Sequence, residues 1–539
     1  MKKVSFIIMA ALAVSLSLNA QTADTIRLID NIFSQWNNAT PGVAVAVERG
    51  GEVLYNKAFG LANLEYNVPN TTETIFEAGS VSKQFTAAAI LLLAKEGKLS
   101  LDDDVRKWVP ELPSYETPIT IQHLITHTSG LKDWGSIYGL TGWPRTTRVY
   151  TQELSFDIVF RQQSLNFPPG DQYSYSNSNY VMMVLITERV SGMRFARFCN
   201  ERLFEPLGMK DTRWRDNHRD VIPGRATAYS AARGGFILNM PFENVHGPGG
   251  LLTTTADLLR WNRLLKTHEI FGEHYSALRI EPGVLNSGRD ISYAAGLQIG
   301  TVNGFDEISH SGATGGYRAW LAYYPEKDLS VALLSNSASF NPGGAGRAVA
   351  TIFLGSPERE RRAAPPQPDF IDIPTANFSR FEGIFFNEAN NSVTTIEIRE
   401  EGLFTGNRRL RPIDADTLWS NGTRYTVTGD GNLMVISPAG ASTTLLRVDE
   451  AVTDESALQQ LEGEYYSYDV DVTYRLAVRD GQLWVDRMAG DSFRLNPVFF
   501  DAYRVGGAFY RFERDRRGRI TGFTISVSRA SNVPFSKIR

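Results

Sequence analysis

Ser80-Val81-Ser82-Lys83 sets a hydroxyl and an amine three residues apart, where a polar stretch gives way to the largely apolar run Phe85 to Ala94. Residues three apart share a helix face, so Lys83 Nζ can reach Ser80 Oγ. The partial positive charge of a helix N-terminus favours an oxyanion there and a neutral lysine. A neutral amine can take the serine proton, and the pair reads as an activated nucleophile. An S-x-x-K pattern arises by chance about once or twice in a chain this long, and Ser129-Gly130-Leu131-Lys132 is a second copy. There Gly130 would sit in the first helical turn and no sustained 3.6-residue apolar pattern follows, so that copy reads as loop. After Ser80, by contrast, come Phe85, Ala87 to Ala89 and Ile90 to Leu93, nearly all strong helix formers, before the stop signal Lys95-Glu96-Gly97.

Two more constellations could serve that nucleophile. Tyr175-Ser176-Asn177 follows Pro168-Pro169-Gly170 in a loop ahead of a helix starting near Tyr180. A phenol there can relay a proton between the serine and a leaving group, and the asparagine can hold a substrate amide. His310-Ser311-Gly312-Ala313 precedes the predicted strand from Tyr317. Gly312 permits close approach of a substrate backbone, the amide of Ala313 can join that of Ser80 as an oxyanion hole, and His310 can polarise the tyrosine or bind a carboxylate. Taken singly, these are ordinary loop and strand residues.

In this order, S-x-x-K at Ser80, Y-x-N at Tyr175 and H-x-G at His310 resemble the penicillin-recognising serine hydrolases: class C beta-lactamases, D,D-peptidases, D-aminopeptidases and related esterases. Two framing stretches, Ile121 to Leu131 and Gly249-Gly250-Leu251-Leu252-Thr253-Thr254, also look like that family, and the likeness covers residues 30 to 355 or so. It implies that Ser80 is acylated, that Lys83 and Tyr175 move protons, and that Asn177 orients the substrate. His310 departs from the lysine usual in class C beta-lactamases and matches several D,D-peptidases and D-aminopeptidases, which sets antibiotic hydrolysis further off than acyl transfer. Expected substrates are small peptides, including D-amino-acid peptides, esters or beta-lactams.

The elements that must position these groups are legible in outline. Val43 to Val47, a glycine turn at Gly50-Gly51 and Val53 to Tyr55 read as a hairpin. Tyr317 to Tyr324 and Leu329 to Leu334 read as its partners, followed by a helix over 345–353, with further helices over 81–96, 151–163, 180–191 and 255–266. Strands at both ends around a helical middle predict an α+β fold: one antiparallel sheet flanked by helices with a helical subdomain, as in beta-lactamases, then an all-β C-terminal region. The expected boundaries are a leader over 1–20, the hydrolase domain over 21–355, a proline-rich linker over 356–374, and β-barrel-like units over 375–450 and 451–539. Phe381-Glu382-Gly383 and Leu461-Glu462-Gly463 echo one another, as do Leu410-Arg411-Pro412 and Leu495-Asn496-Pro497. One two-lobed β domain explains these echoes almost as well as two barrels. A C-terminal D-aminopeptidase-like arrangement and an accessory role, in shaping the cleft or binding a partner, are expected of this region.

Composition narrows the classes further. The 539 residues are 42% hydrophobic and 21% charged, with a net charge of −4. No global basic field exists to hold nucleic acid or anionic lipid. Lys2 and Lys3 followed by the apolar stretch Phe6 to Leu16 and Ala20 read as a secretory leader, too short to span a bilayer, and no later apolar run has spanning length. An exported protein, periplasmic or extracellular, with no membrane span is expected. The single cysteine, Cys199, reads as buried filler. His123 and His127 have helical metal spacing but no intervening glutamate or evident third ligand, so neither metal nor cofactor is expected. No G-x-S-x-G elbow occurs. The competing class is a catalytically weak binding or sensor protein for cell-wall peptides; oligomeric state is left open.

Overall fold

A computed structural model describes residues 23–144, 147–355, 367–371 and 374–539. The leader and most of the expected linker lie outside the described residues. The chain divides into two compact units.

The first unit is built on six antiparallel strands: β1 (Val43–Arg49), β2 (Glu52–Phe59), β3 (Gln298–Val302), β4 (Phe305–Thr314), β5 (Tyr317–Tyr324) and β6 (Leu329–Ser335), in the order β3-β4-β5-β6-β1-β2. The N-terminal hairpin and the distant C-terminal strands do share one sheet, because β1 pairs with β6 from Val43 opposite Ser335 to Arg49 opposite Leu329. Every residue from Val43 to Glu48 is buried, which shows that both sheet faces are covered and explains the unbroken apolar run. Val43, Val45 and Val47 pack with Ile29 and Phe33 of the N-terminal helical segment and with Val349 and Ala350. The opposite face is covered by a helix over Thr255–Thr267, whose Asn262 Nδ2 donates to Ala322 O at 3.0 Å.

Three helices carry the site or back the sheet: α1 (Lys83–Lys95), α2 (Asn177–Ser191) and α3 (Pro342–Leu354). In α1 every residue from Lys83 to Ala94 is buried. A helix apolar on all sides belongs in the middle of a domain, where its N-terminus can face a cleft without its body meeting water. Phe85 stacks on Trp261 at 4.1 Å and meets Phe204 at 6.0 Å. Cys199 is buried and its thiol is pushed up by that burial, which suits filler and not a nucleophile.

The second unit is β-rich. Eight strands from Gly383–Asn387 to Ser442–Val448 close into a barrel around Phe385, Ile396, Leu403, Leu410 and Leu433. Nine strands between Gly463 and Lys537 form one antiparallel sheet. Gly383 and Gly463 each open the first strand of their lobe, so the echo at an offset of 80 residues is structural. Phe386 of the barrel meets Phe499 and Phe509 of the sheet at 5.0 and 5.5 Å. This shared apolar cluster makes the region a two-lobed unit, the alternative to two separate barrels. Ser136–Gly142 also belongs to this unit, which interrupts the expected 21–355 boundary. The reason is local: Tyr474 Oη donates to Leu140 O at 2.5 Å.

Candidate active site

Ser80 lies in a tight helical turn, Gly79–Ser82, that leads directly into α1. Gly79 has φ +51°, a conformation that side chains with a Cβ resist. A Cβ added there would lie 2.5 Å from Ala313 N; one added at Gly312 would lie 1.9 Å from Ala78 O and 3.1 Å from Ser80 N. The two backbones are therefore in contact at two glycines, and that contact brings the amides of Ser80 and Ala313 to one place. Ser80 is half-buried and Ala313 is exposed, so substrate can reach them. This is the geometry an oxyanion hole requires.

Lys83 is fully buried. Its Nζ lies 3.2 Å from Ser80 Oγ and donates to Asn177 Oδ1 and Pro248 O, each at 2.8 Å. Two of the amine's positions thus serve those carbonyl oxygens, and a third faces the serine hydroxyl. The same nitrogen lies 4.6 Å from the Tyr175 ring centroid. Lys83 and Asn177, 94 positions apart in the chain, thus converge with Ser80 and Tyr175.

Asn177 is the first residue of α2, and its backbone N–H donates to Asp133 Oδ2 at 2.7 Å. A carboxylate at a helix N-terminus satisfies an otherwise unpaired N–H and suits the helix dipole. Because Lys83 binds Asn177 Oδ1, its Nδ2 is the side turned to a substrate carbonyl. The stretch from Ile121 to Leu131 forms the frame beneath. His127 O accepts from Ser174 N at 2.9 Å and His127 Nδ1 from Ser176 N at 3.2 Å. Its ring lies 4.3 Å from that of Tyr175. His123 closes a capping box with Thr120. Both histidines hold backbone, and among the described residues no cluster with metal-ligand character occurs.

His310 sits on β4 with both ring nitrogens engaged. Nδ1 lies 2.6 Å from Ser311 O, so it carries the proton; Nε2, 3.0 Å from Tyr293 Oη, must then accept from that phenol. Burial, reinforced by the Lys83 charge, pushes its pKa down to about 3, and burial holds the Tyr293 phenol well above its ordinary value. His310 is a neutral imidazole. Tyr293 Oη faces its Nε2, and the ring of Tyr175, the tyrosine expected from the sequence, lies 6.2 Å from the imidazole, centroid to centroid.

Several contributors carried no sequence signal. Pro248 acts through a backbone carbonyl, and Tyr293 stands in Ser292-Tyr293-Ala294 without a motif. Beneath the nucleophile turn, Glu77 takes a two-point contact from Arg215, with Nε and Nη2 each at 3.0 Å, and is approached by Arg225 at 3.4 Å. Glu77 and Arg215 are buried, so each charge depends on the other.

A serine whose proton has a buried amine to go to, beside two convergent amide donors, can form and release an acyl ester. Comparison with known proteins agrees. The beta-lactamase family model matches residues 28–355. Penicillin-binding protein 4* of Bacillus subtilis is 30% identical over 367 residues, 64% of this chain and 79% of that protein. A D-aminopeptidase of Brucella anthropi is 25% identical over 531 residues, 93% of this chain and 96% of that one. Among solved structures, the octameric penicillin-binding protein homologue from Pyrococcus abyssi superimposes with a TM-score of 0.55 at 22% identity, over 87% of this chain and 98% of that one, a likeness of fold. The chain therefore belongs to the beta-lactamase family, the penicillin-recognising serine hydrolases, and is a hydrolase of the peptidase or amidase kind.

Proposed function

We propose that this protein is an exported amidohydrolase that acts through an acyl-enzyme at Ser80 on D-amino-acid peptides or amides, with esters and beta-lactams as lesser substrates. The observation that carries the reading is Lys83 Nζ at 3.2 Å from Ser80 Oγ, turned toward it by Asn177 and Pro248. Similarity over nearly the whole length to D-aminopeptidases supports the D-peptide class, since it spans the C-terminal β region as well.

In the first half-reaction the Ser80 proton passes to Lys83 and Oγ bonds to the substrate carbonyl carbon. The negative oxygen rests between the amides of Ser80 and Ala313. The C–N bond then breaks, and Lys83 returns the proton through Tyr175 to the departing nitrogen. Water enters in its place, gives a proton to the same base and attacks the ester; the C–O bond to Ser80 breaks and the serine recovers its hydrogen. The product acid and amine leave, and the enzyme is unchanged.

Incubation with a fluorophosphonate, followed by mass-spectrometric mapping, should place the label on Ser80. Label elsewhere, or none together with no turnover of ester and D-peptide substrates, overturns the reading. Cell fractionation with an antibody tests export: a cytoplasmic pool retaining residues 1–20 contradicts it. The C-terminal β unit is assigned an accessory role.

A further inference from the structure

Arg279 is fully buried on the helix Gly272–Ile280, and neither its Nη1 nor its Nη2 has a hydrogen-bond partner among the described residues. Burial pushes its pKa down to about 9 with no carboxylate to counter the loss of water, so the group keeps its charge at neutral pH. Its Cζ lies 4.7 Å from the Trp261 ring centroid and 5.2 Å from that of Phe271. Ring faces attract the cation but give its N–H groups no acceptor of ordinary strength. Two neighbouring buried groups are also unpartnered. Ser276 Oγ lies one turn back on the same helix face, the direction in which a helical arginine leans. Gln84 Oε1 accepts from Trp261 Nε1 at 2.7 Å, which leaves its Nε2 donor unpaired. Arg279 and Gln84 thus both meet Trp261, and the chain segment at 295–296 joins them a second time. Ala295 N donates to Arg279 O at 3.2 Å, and a Cβ added at Gly296 would lie 2.5 Å from Gln84 N.

We propose that Arg279, Gln84 and Ser276 hold a monovalent anion of chloride size, which neutralises the guanidinium and ties the helix Gly272–Ile280 to the first turn of α1. The unpartnered atoms are hydrogen-bond donors, and Ser276 Oγ alone among them can also accept. A water set among them would leave its own hydrogens unmatched, whereas a halide only accepts and brings the missing charge as well. A divalent anion would leave one of its charges buried without a counterpart. Because Gln84 directly follows Lys83, the anion braces the turn that carries the general base. Its binding does not depend on which substrate Ser80 attacks.

The test melts the full-length protein, dialysed into sodium gluconate, as chloride replaces that bulky anion at constant ionic strength. The Tm of the wild type should rise by about 3 °C or more and then level off, as binding to the folded state alone requires. Bromide should act as chloride does. Arg279→Met removes the charge, keeps an unbranched stem and should melt alike in both salts. A wild type indifferent to the exchange overturns the proposal, and so does an Arg279→Met variant that responds as the wild type does. Should that variant fail to fold, wild-type crystals grown from sodium bromide decide the matter. Anomalous scattering from a bromide beside the Arg279 guanidinium supports the site, and a water refined there without such scattering overturns it.

Discussion

The chain contains two S-x-x-K segments, and their fates differ completely. Ser80 and Lys83 lie across the start of a helix and their side chains meet at 3.2 Å. Ser129 and Lys132 lie in a loop, and their side chains go to different partners: Ser129 Oγ donates to Asn179 Oδ1 at 2.6 Å, and Lys132 Nζ to Ser164 Oγ at 2.8 Å. Both lysines are buried. The difference is backbone geometry, since only the helical turn puts positions three apart on one face. The loop copy is nevertheless part of the frame: Lys132 O accepts from Ser178 Oγ, and the next residue, Asp133, caps α2 at Asn177. One copy performs chemistry and the other places its partners.

Parallel substitutions in the two copies separate chemistry from framework. Ser80→Ala should abolish fluorophosphonate labelling and lower kcat by a factor on the order of 10⁴ or more, whereas Ser129→Ala should label normally; label retained in the first variant or lost in the folded second one would erase the distinction. Lys83→Met should slow acylation by roughly 10²–10⁴-fold, read by stopped-flow with a chromogenic ester, and Lys132→Met should retain the rate in whatever fraction folds. Glu77→Gln leaves buried Arg215 with only the more distant Glu243, at 3.8 Å, as counter-charge and should cost about 3 kcal/mol in urea unfolding; a loss below about 1 kcal/mol would show that the ion pair does not hold the nucleophile turn. Ser129→Ala should cost about 1–3 kcal/mol, the penalty of an unpaired buried amide group on Asn179.

Acid sensitivity gives the most gradual effect. His310 and His246 are buried in neutral form, at about 3 and about 4, against an ordinary value of 6.5. Below pH 6.5 the unfolded chain binds protons that the folded one refuses, so stability is full above that value and falls as pH drops, by about 1.4 kcal/mol per pH unit for each histidine until its folded value is reached. His310→Asn should flatten the slope between about pH 6 and pH 4 in urea melts. An unchanged slope would mean that the imidazole takes up a proton in the native state.

Much of the site is legible in local patterns of the chain. The S-x-x-K helix, the Y-x-N loop and the H-x-G strand are each recognisable because their chemistry depends on side-chain type at short spacing. The expected helix over 255–266 is found at Thr255–Thr267 and the strand Tyr317–Tyr324 at those very residues, since amphipathic and apolar periods are local properties. Helix ends shift where caps decide them: α2 starts at Asn177, three residues before Tyr180, because Asp133 from a distant loop caps it. Tyr293, Pro248 and the Glu77–Arg215 pair are invisible in the sequence, being a phenol without a motif, a carbonyl without a side chain and two charges 138 positions apart.

By itself the sequence determined which groups could react: a hydroxyl and an amine on one helical face, a phenol, an amide and an imidazole in a fixed order, and strands enough to hold them. What only the tertiary structure decided is which of these groups meet and in what protonation state. Contact at Gly79 and Gly312 builds the oxyanion site, and burial makes His310 neutral beside Tyr293 Oη. Hydrogen-bond partners and desolvation arise from residues far apart in the chain, and no local pattern encodes them.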